Sequence, residues 1–246
     1  MSIFIKHLTI IVVLSALTLA GWCDDRFLEN YLPAGEENIV RHDFYTSVYN
    51  PETRTGKWVM FTLSTLNTLK FFKRDKLDFE RDPLIQGSPS TTNYNSSGYD
   101  RGHMCSANIM KFCEVALKQT FYTSNIAPQN PHFNRGIWKS LEEKVGNLID
   151  KGSVMVVVVG VIHDKDKGYE YIGQEKVAVP NFYYMIIYDL KKDRLSVFLM
   201  SNKNDLNGEL TDYMVTLEAI NNRTGVGFFK NAVEKSRYDK IENIFE

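Results

Sequence analysis

The run Ser153–Ile162, SVMVVVVGVI, constrains the fold most. It carries no charge and is apolar at every position that would face either side of a strand, so it reads as a central strand buried on both faces. Phe182–Leu190 and Leu195–Met200, separated by the charged turn KKDR, predict a hairpin, and Trp58–Leu63 follows the turn-like NPETRTG as another strand. Thr120–Ile126 alternates and is β-rich, which predicts a strand that Pro128 ends. Helical spacing recurs over Ser106–Gln119, with Ser106 as N-cap, and over Asn134–Ile149, where Trp138, Leu141, Val145 and Leu148 share one side and Gly152 closes the helix. Leu210, Met214, Leu217 and Ile220 outline a last helix ended by Gly225. Residues 86–99 are nearly free of aliphatic side chains and read as a long polar loop of the functional kind. Without a repeat or a linker-like boundary, the pattern predicts one α+β domain over residues 39–246, preceded by a loosely held lead-in over 21–38.

Composition supports a packed core: 43% of the 246 residues are hydrophobic and 24% charged, which excludes a disordered chain, a collagen-like repeat and a coiled coil. Lys plus Arg number 29 against 30 for Asp plus Glu, so binding to a polyanion must come from a local basic patch. At the N-terminus Lys6 precedes an uncharged apolar stretch, Leu8–Ala20, short of the ~20 residues that span a bilayer. It predicts a signal peptide over residues 1–20 and a secreted or periplasmic mature chain, with a mitochondrial signal or a membrane anchor as the alternative. Cleavage after Ala20 removes only Lys6 among the charged side chains and leaves a mature net charge near −2, with no later membrane span. Three cysteines, Cys23, Cys105 and Cys113, exclude a complete disulfide framework; export would permit a Cys105–Cys113 bridge, and a free buried Cys is equally ordinary. No CxxC pair or HExxH motif signals zinc.

Two segments carry chemistry. Asp100, Arg101, Gly102 and His103 stand together as DRGH directly after the polar loop, where they bring a base, an anion clamp and a flexible backbone to one place. NIAPQNPHFNRGIWKSLEEKV then supplies the amides Asn125, Gln129 and Asn134. On a helix Asn134 and Glu142 lie ~80° apart and about two turns along the axis, so both can face one cleft, with Trp138 packed between them.

DRGH followed by TFYTSNIAPQNPHFNRGIWKSLEEKV, and then by VAVPNFYYMII and LEAINNRTGVGFF, resembles the DNA/RNA non-specific endonucleases over roughly Arg41–Lys230. That resemblance implies a ββα-metal (His-Me finger) nuclease with a central, mostly antiparallel sheet flanked by helices. It further implies His103 as general base, Asn134 as the sole protein ligand to Mg²⁺ (with Mn²⁺ able to substitute), Asn125 supporting the His loop and Glu142 steadying the water shell. A hard cation that keeps several waters suits a single amide oxygen. The implied reaction is hydrolysis of DNA and RNA phosphodiesters by in-line attack, leaving 5′-phosphate ends, largely indifferent to sequence. Arg101 is the nearest candidate for stabilising the developing charge. Asp100, Arg74, Gln129 and Arg135 are candidate substrate contacts, Arg74 being ranked first among the upstream cations Lys70, Lys73, Arg74, Lys76 and Arg81.

One departure stands out: some relatives carry an Arg one turn beyond the helix Glu, where this chain has Gly146. His42 and His163 read as structural, and His132 as a bystander. Asn95 and Asn222 match the glycosylation pattern. The alternative function is a catalytically inactive nucleic-acid- or protein-binding module on the same fold. A homodimer and a protein inhibitor are partners that the resemblance leaves open.

Overall fold

The computed structural model describes residues 28–245 except Ala34 and Lys76; the expected signal peptide, Cys23 and the first residues of the lead-in lie outside them. Ten strands follow in chain order: β1 (Ile39–Arg41), β2 (Thr46–Asn50), β3 (Thr55–Leu63), β4 (Asp100–His103), β5 (Ile126–Gln129), β6 (Met155–Ile162), β7 (Tyr171–Ile172), β8 (Val177–Ala178), β9 (Phe182–Asp189) and β10 (Arg194–Ser201). The main sheet has six strands in the order β1-β2-β3-β6-β9-β10, antiparallel throughout. Strands β4–β5 and β7–β8 form two separate ribbons. Among the described residues the α-helices longer than one turn are α1 (Glu114–Gln119), α2 (Lys139–Asp150) and α3 (Leu217–Thr224), with a single α-helical turn at Pro131–Phe133.

The valine-rich run is β6, flanked by β3 and β9 near the middle of the sheet. Its side chains alternate between two cores, because successive residues of a strand point to opposite faces. Val157, Val159 and Val161 join Phe61, Met185 and Ile187 under α2, whose Leu141, Val145 and Leu148 complete that layer. Val156 and Val158 join Trp58, Met60, Tyr184 and Ile186 under α3 and the segment around Phe228. The result is three layers with the sheet in the middle. Among the described residues no helix is long and apolar enough to cross a membrane.

Several boundaries differ from the sequence reading. The described part of the lead-in is not loosely held: Leu28 is buried and Tyr31 packs its ring 6.2 Å from Phe229. The expected helix over Ser106–Gln119 is confined to Glu114–Gln119. Upstream of it the carbonyls of Asn108, Ile109 and Lys111 are taken by Lys70 Nζ, Asn67 Nδ2 and the Phe72 amide, so they cannot join a helical ladder. Thr120–Ile126 is not a strand; a 3₁₀ turn at Thr123–Asn125 leads into β5, which begins at Ile126 and contains Pro128. Pro128 is tolerated because the two-stranded ribbon leaves one edge without a ladder to donate to. The last helix is split: Leu210–Tyr213 is a 3₁₀ turn, Met214 bridges to Phe198, and α3 starts after the Thr216 cap. Gly225 closes it in the left-handed region at φ 72°. Cys105 and Cys113 are both free, so the bridge that export would permit is not formed.

Phe228 is fully buried, with its ring 5.9 Å from Trp58 and 6.0 Å from Tyr184, on the sheet face opposite α2. Phe228→Ala is expected to cost roughly 3–5 kcal/mol and to lower Tm by roughly 6–20 °C in a thermal circular-dichroism melt. Any activity measured well below that Tm should be retained, since α2 and the ribbon β4–β5 belong to the other face.

Candidate active site

DRGH is strand β4, and its pairing with β5 sets Gly102 opposite Ala127 and His103 opposite Ile126. The two-residue period puts Arg101 and His103 on one side of the ribbon and Asp100 and Gly102 on the other. Gly102 lies against the Gln129 side chain so closely that a Cβ would sit 2.5 Å from Gln129 Cβ. Only glycine fits there without moving the strand that carries His103.

His103 sits between two aromatic rings, Phe79 and Phe121, each with its centroid 5.3 Å away. A guanidinium covers each of these rings in turn: Arg101 lies 5.7 Å from the Phe79 centroid, and Arg74 lies 5.7 Å from that of Phe121. His103 Nε2 is sealed from solvent without a hydrogen-bond partner, which leaves Nδ1 as the nitrogen open to the cleft. Burial, reinforced by the positive charge of Arg74, pushes the imidazole down to about 3. Sequence alone does not single out Phe79 and Phe121, because Phe71, Phe72, Phe112 and Phe133 stand equally near the motifs.

The chain leaving His103 is fixed by Asn125, which is fully buried. Its Oδ1 accepts from the Cys105 amide at 2.8 Å, and its Nδ2 donates to the carbonyls of Cys105 and Thr120 at 2.9 and 2.8 Å. Arg101 is held by the polar loop: it donates to Thr91 Oγ1 at 2.7 Å and to Asn95 Oδ1 at 2.9 Å. Glu175 clamps that loop by accepting from the Ser90 amide and from Arg81. Arg81 is thereby engaged away from the cleft, whereas Arg74 lines it.

Asp100 neither orients Arg101 nor touches His103. Its Oδ2 accepts from Asn134 Nδ2 and from Arg135 Nε, each at 2.8 Å, and its Oδ1 accepts from Arg135 Nη2. Partial burial opposes ionisation, but Arg135 and the Asn134 amide hold the Asp100 carboxyl below the usual carboxylate range. An ionised carboxylate can only accept, so it fixes the Asn134 amide with Nδ2 inward, and no described donor reaches Oδ1. Asn134 opens a wide turn of π type, Asn134–Trp138, in which Gly136 leaves helical geometry (φ −102°, ψ −112°) before α2 begins. Trp138 faces the core, 5.4 Å from Phe133 and 5.6 Å from Tyr183, rather than packing between Asn134 and Glu142.

Glu142, one turn into α2, is half-buried; burial pushes its carboxyl up to about 8 against the hydrogen bond from Ser106. Arg74, Arg101, His103, Asn134 and Glu142 all line one cleft of about 890 Å³. Gln129 does not: it is fully buried behind Gly102, which corrects its assignment as a substrate contact. Gly146 lies on the cleft wall with open space at its Cβ, and His132 is exposed. His42 is a buried structural group, its Nε2 2.9 Å from Asp82 Oδ2. His163 is half-buried, its Nε2 3.4 Å from the Ala178 carbonyl oxygen.

These residues fit a hydrated divalent cation. A free amide oxygen on Asn134 faces a cleft bordered by Glu142, and no group of three or more His, Cys, Asp or Glu able to hold a metal exists among the described residues. That donor set suits a hard ion that keeps most of its waters and not zinc.

Comparison with known proteins agrees with the fold and the motifs. The profile of the DNA/RNA non-specific endonuclease family matches residues 24–235. The mitochondrial nuclease EXOG of Xenopus laevis is 35% identical over 197 residues, covering 74% of this chain and 55% of the relative. Nuclease C1 of Cunninghamella echinulata var. echinulata is 30% identical, covering 80% and 84% respectively. The chain thus spans little more than half the length of the first of these. A solved structure of the EndoG/EndoGI complex aligns with a TM-score of 0.77 at 30% identity, covering 88% of this chain and 94% of that one.

Burial of Glu142 has a pH signature. Its folded pKa of about 8 exceeds the unfolded value of 4.5, so its ionisation costs stability progressively as pH rises from about 4.5 to about 8. Glu142→Gln, which cannot ionise, should therefore melt several degrees above the parent protein at pH 8 in EDTA, with the gap closing toward pH 5. A Tm difference that does not depend on pH would mean that the carboxyl is not held neutral.

Proposed function

The chain belongs to the DNA/RNA non-specific endonuclease family, and from that membership we propose that it is a divalent-cation-dependent nuclease hydrolysing phosphodiester bonds of DNA and RNA. The observation that carries this reading is the placement of His103 and Asn134 on one cleft, with Asp100 tying Asn134 to the strand that bears His103.

In the proposed mechanism His103 Nδ1 takes a proton from water, and the water oxygen forms a bond to phosphorus as the bond from phosphorus to the 3′ oxygen breaks. The phosphate remains on the 5′ side; the departing 3′ oxygen takes a proton from a solvent water and leaves as an alcohol, and the proton held by His103 returns to solvent. Asn134 Oδ1 would hold Mg²⁺ or Mn²⁺, with Glu142 hydrogen-bonded to its water shell; when bound, the ion neutralises charge on the phosphoryl and departing oxygens. Arg74 and Arg101 add fixed positive charge at the same place. Arg135 and Asp100 serve the reaction chiefly by orienting the Asn134 amide. None of these groups addresses a base edge, which supports indifference to sequence.

An apolar leader with one Lys and no Arg fits an export signal better than an amphipathic, Arg-rich mitochondrial one, so we infer export after cleavage at Ala20. N-terminal sequencing of protein recovered outside the cell should begin at Gly21; recovery of the intact N-terminus from mitochondria would reverse the assignment. The solved relative in complex with EndoGI supports the further reading that a protein inhibitor can block this chain too.

For the chemistry, plasmid and RNA should be degraded in Mg²⁺ and spared in EDTA, and His103→Ala should slow turnover by ~10²-fold or more. Asn134→Ala should shift the Mg²⁺ titration to higher concentration before it abolishes turnover. Tight DNA retention without cleavage in either Mg²⁺ or Mn²⁺ would instead establish a binding module.

A further inference from the structure

Among the described residues seven large hydrophobic side chains are exposed; three lie together in Leu69–Phe72, and Phe71, at 70% exposed, is the most open of the seven. This segment is not held loosely. Asn67 donates to the Ile109 carbonyl at 3.0 Å, Lys70 Nζ donates to the carbonyls of Asn67 and Asn108 at 2.6 and 2.8 Å, and the Phe72 amide donates to the Lys111 carbonyl at 3.0 Å. With the backbone pinned on both sides of Phe71, its ring is presented to solvent by the fold, at a cost in unburied apolar surface that the chain does not recover internally.

The surroundings specify what would cover it. Lys70 and Arg74 flank Phe71 in sequence and both line the cleft that contains His103, as does Lys111 from the segment bonded to Phe72. Lys73 is exposed beside them. None of these four cations forms an ion pair with a described carboxylate, whereas Arg135 and Lys139 on the same cleft, and Arg81 and Lys118 away from it, all do. An upright aromatic ring among unneutralised cations, continuous with the cleft, complements a polyanion whose planar apolar faces are free to stack. That describes an unpaired nucleic-acid strand; in a closed duplex the base faces are already covered by their neighbours.

We propose that Phe71 is a stacking platform for an unpaired base, with the strand's phosphates running past Lys70, Lys111 and Arg74 toward His103, so that single-stranded or locally opened substrate is bound in preference to closed duplex. The inference rests on the nuclease reading and deepens it: Phe71 positions substrate and takes no part in the chemistry.

The test measures KM and kcat for a single-stranded oligonucleotide and for its duplex with parent protein, Phe71→Ala, Phe71→Leu and Phe71→Trp. Binding of the fluorescein-labelled single strand to the same proteins is read by anisotropy in EDTA, and mass by light scattering. Loss of one stacked base should raise the ratio of single-strand to duplex KM on the order of ten-fold in Phe71→Ala, through KM and not kcat. Phe71→Trp should restore it, and Phe71→Leu, apolar but without a π face, should not. The inference is overturned if Phe71→Ala leaves that ratio unchanged, if Leu substitutes as well as Trp, or if Phe71→Ala halves the mass, which would assign the patch to a second copy of the chain. Parent protein that cleaves neither substrate would sink the nuclease reading, while the anisotropy arm would still decide the role of Phe71.

Discussion

Everything in the cleft hangs on the four-residue pairing between β4 and β5. It is a short ribbon outside the main sheet, and it works only because Gly102 has no side chain: the ribbon closes against Gln129 at a distance that no other residue permits. Closing it does two things at once. It turns His103 into the slot between Phe79 and Phe121, and it brings Asp100 to the Asn134 amide at the start of the helix. An imidazole from one element and an amide from another are thus held in one frame by backbone hydrogen bonds and by a carboxylate that can only accept. Asn125 extends that frame, bonding both the amide and the carbonyl of Cys105 just past His103.

The architecture was legible wherever a segment's own pattern matched its environment. The Val run is buried on both faces, the strands Phe182–Asp189 and Arg194–Ser201 pair in full register, and Leu141, Val145 and Leu148 point into the core as their spacing requires. Misreadings arose where non-local bonds overrode local preference. Ser106–Gln119 has helical spacing, yet partners from Asn67–Phe72 claim its carbonyls. Met214 has helical spacing too, yet is drawn into a bridge with Phe198. In the site, residue types and order identify His103, Asn134 and Glu142 as candidates, but the partners of Asp100 are not legible locally: strand alternation turns it away from Arg101 and His103, and Asn134 and Arg135, more than thirty residues on, take its oxygens. Nothing local could reveal that Gln129 is sealed behind Gly102, because that depends on the pairing of two distant segments.

For the proposed nucleic-acid substrate, charge distribution offsets a net charge of −1. Much of the basic charge is neutralised in place: Arg41 by Glu29, Arg237 by Asp193 and Glu242, Arg135 by Asp100. The cations on the Lys70–Arg74 lip and Lys111 form no ion pair with a described carboxylate, which leaves them the part of the cleft most able to meet an anion although the molecule as a whole is slightly acidic. Arg101 is spent differently. Its donors are satisfied by the polar loop and its face by Phe79 and Tyr94, which fixes its charge beside His103 instead of leaving it free to follow a strand. Under the proposed function, attraction and stabilisation would be divided between two sets of cations on one cleft.

That division bears on how His103 can act as a base. Held down to about 3 by its aromatic slot and by Arg74, the imidazole by itself is a poor proton acceptor. A phosphodiester placed against Arg74 and Arg101 brings negative charge to the same spot; it offsets the influence of Arg74 and raises the proton affinity of the ring. Glu142 carries the mirror-image perturbation: its carboxyl is held up to about 8 by burial, so positive charge arriving beside it favours the ionised form. Under the proposed reaction the phosphodiester and the cation would thus act in opposite senses on the two groups, raising the proton affinity of His103 and lowering that of Glu142.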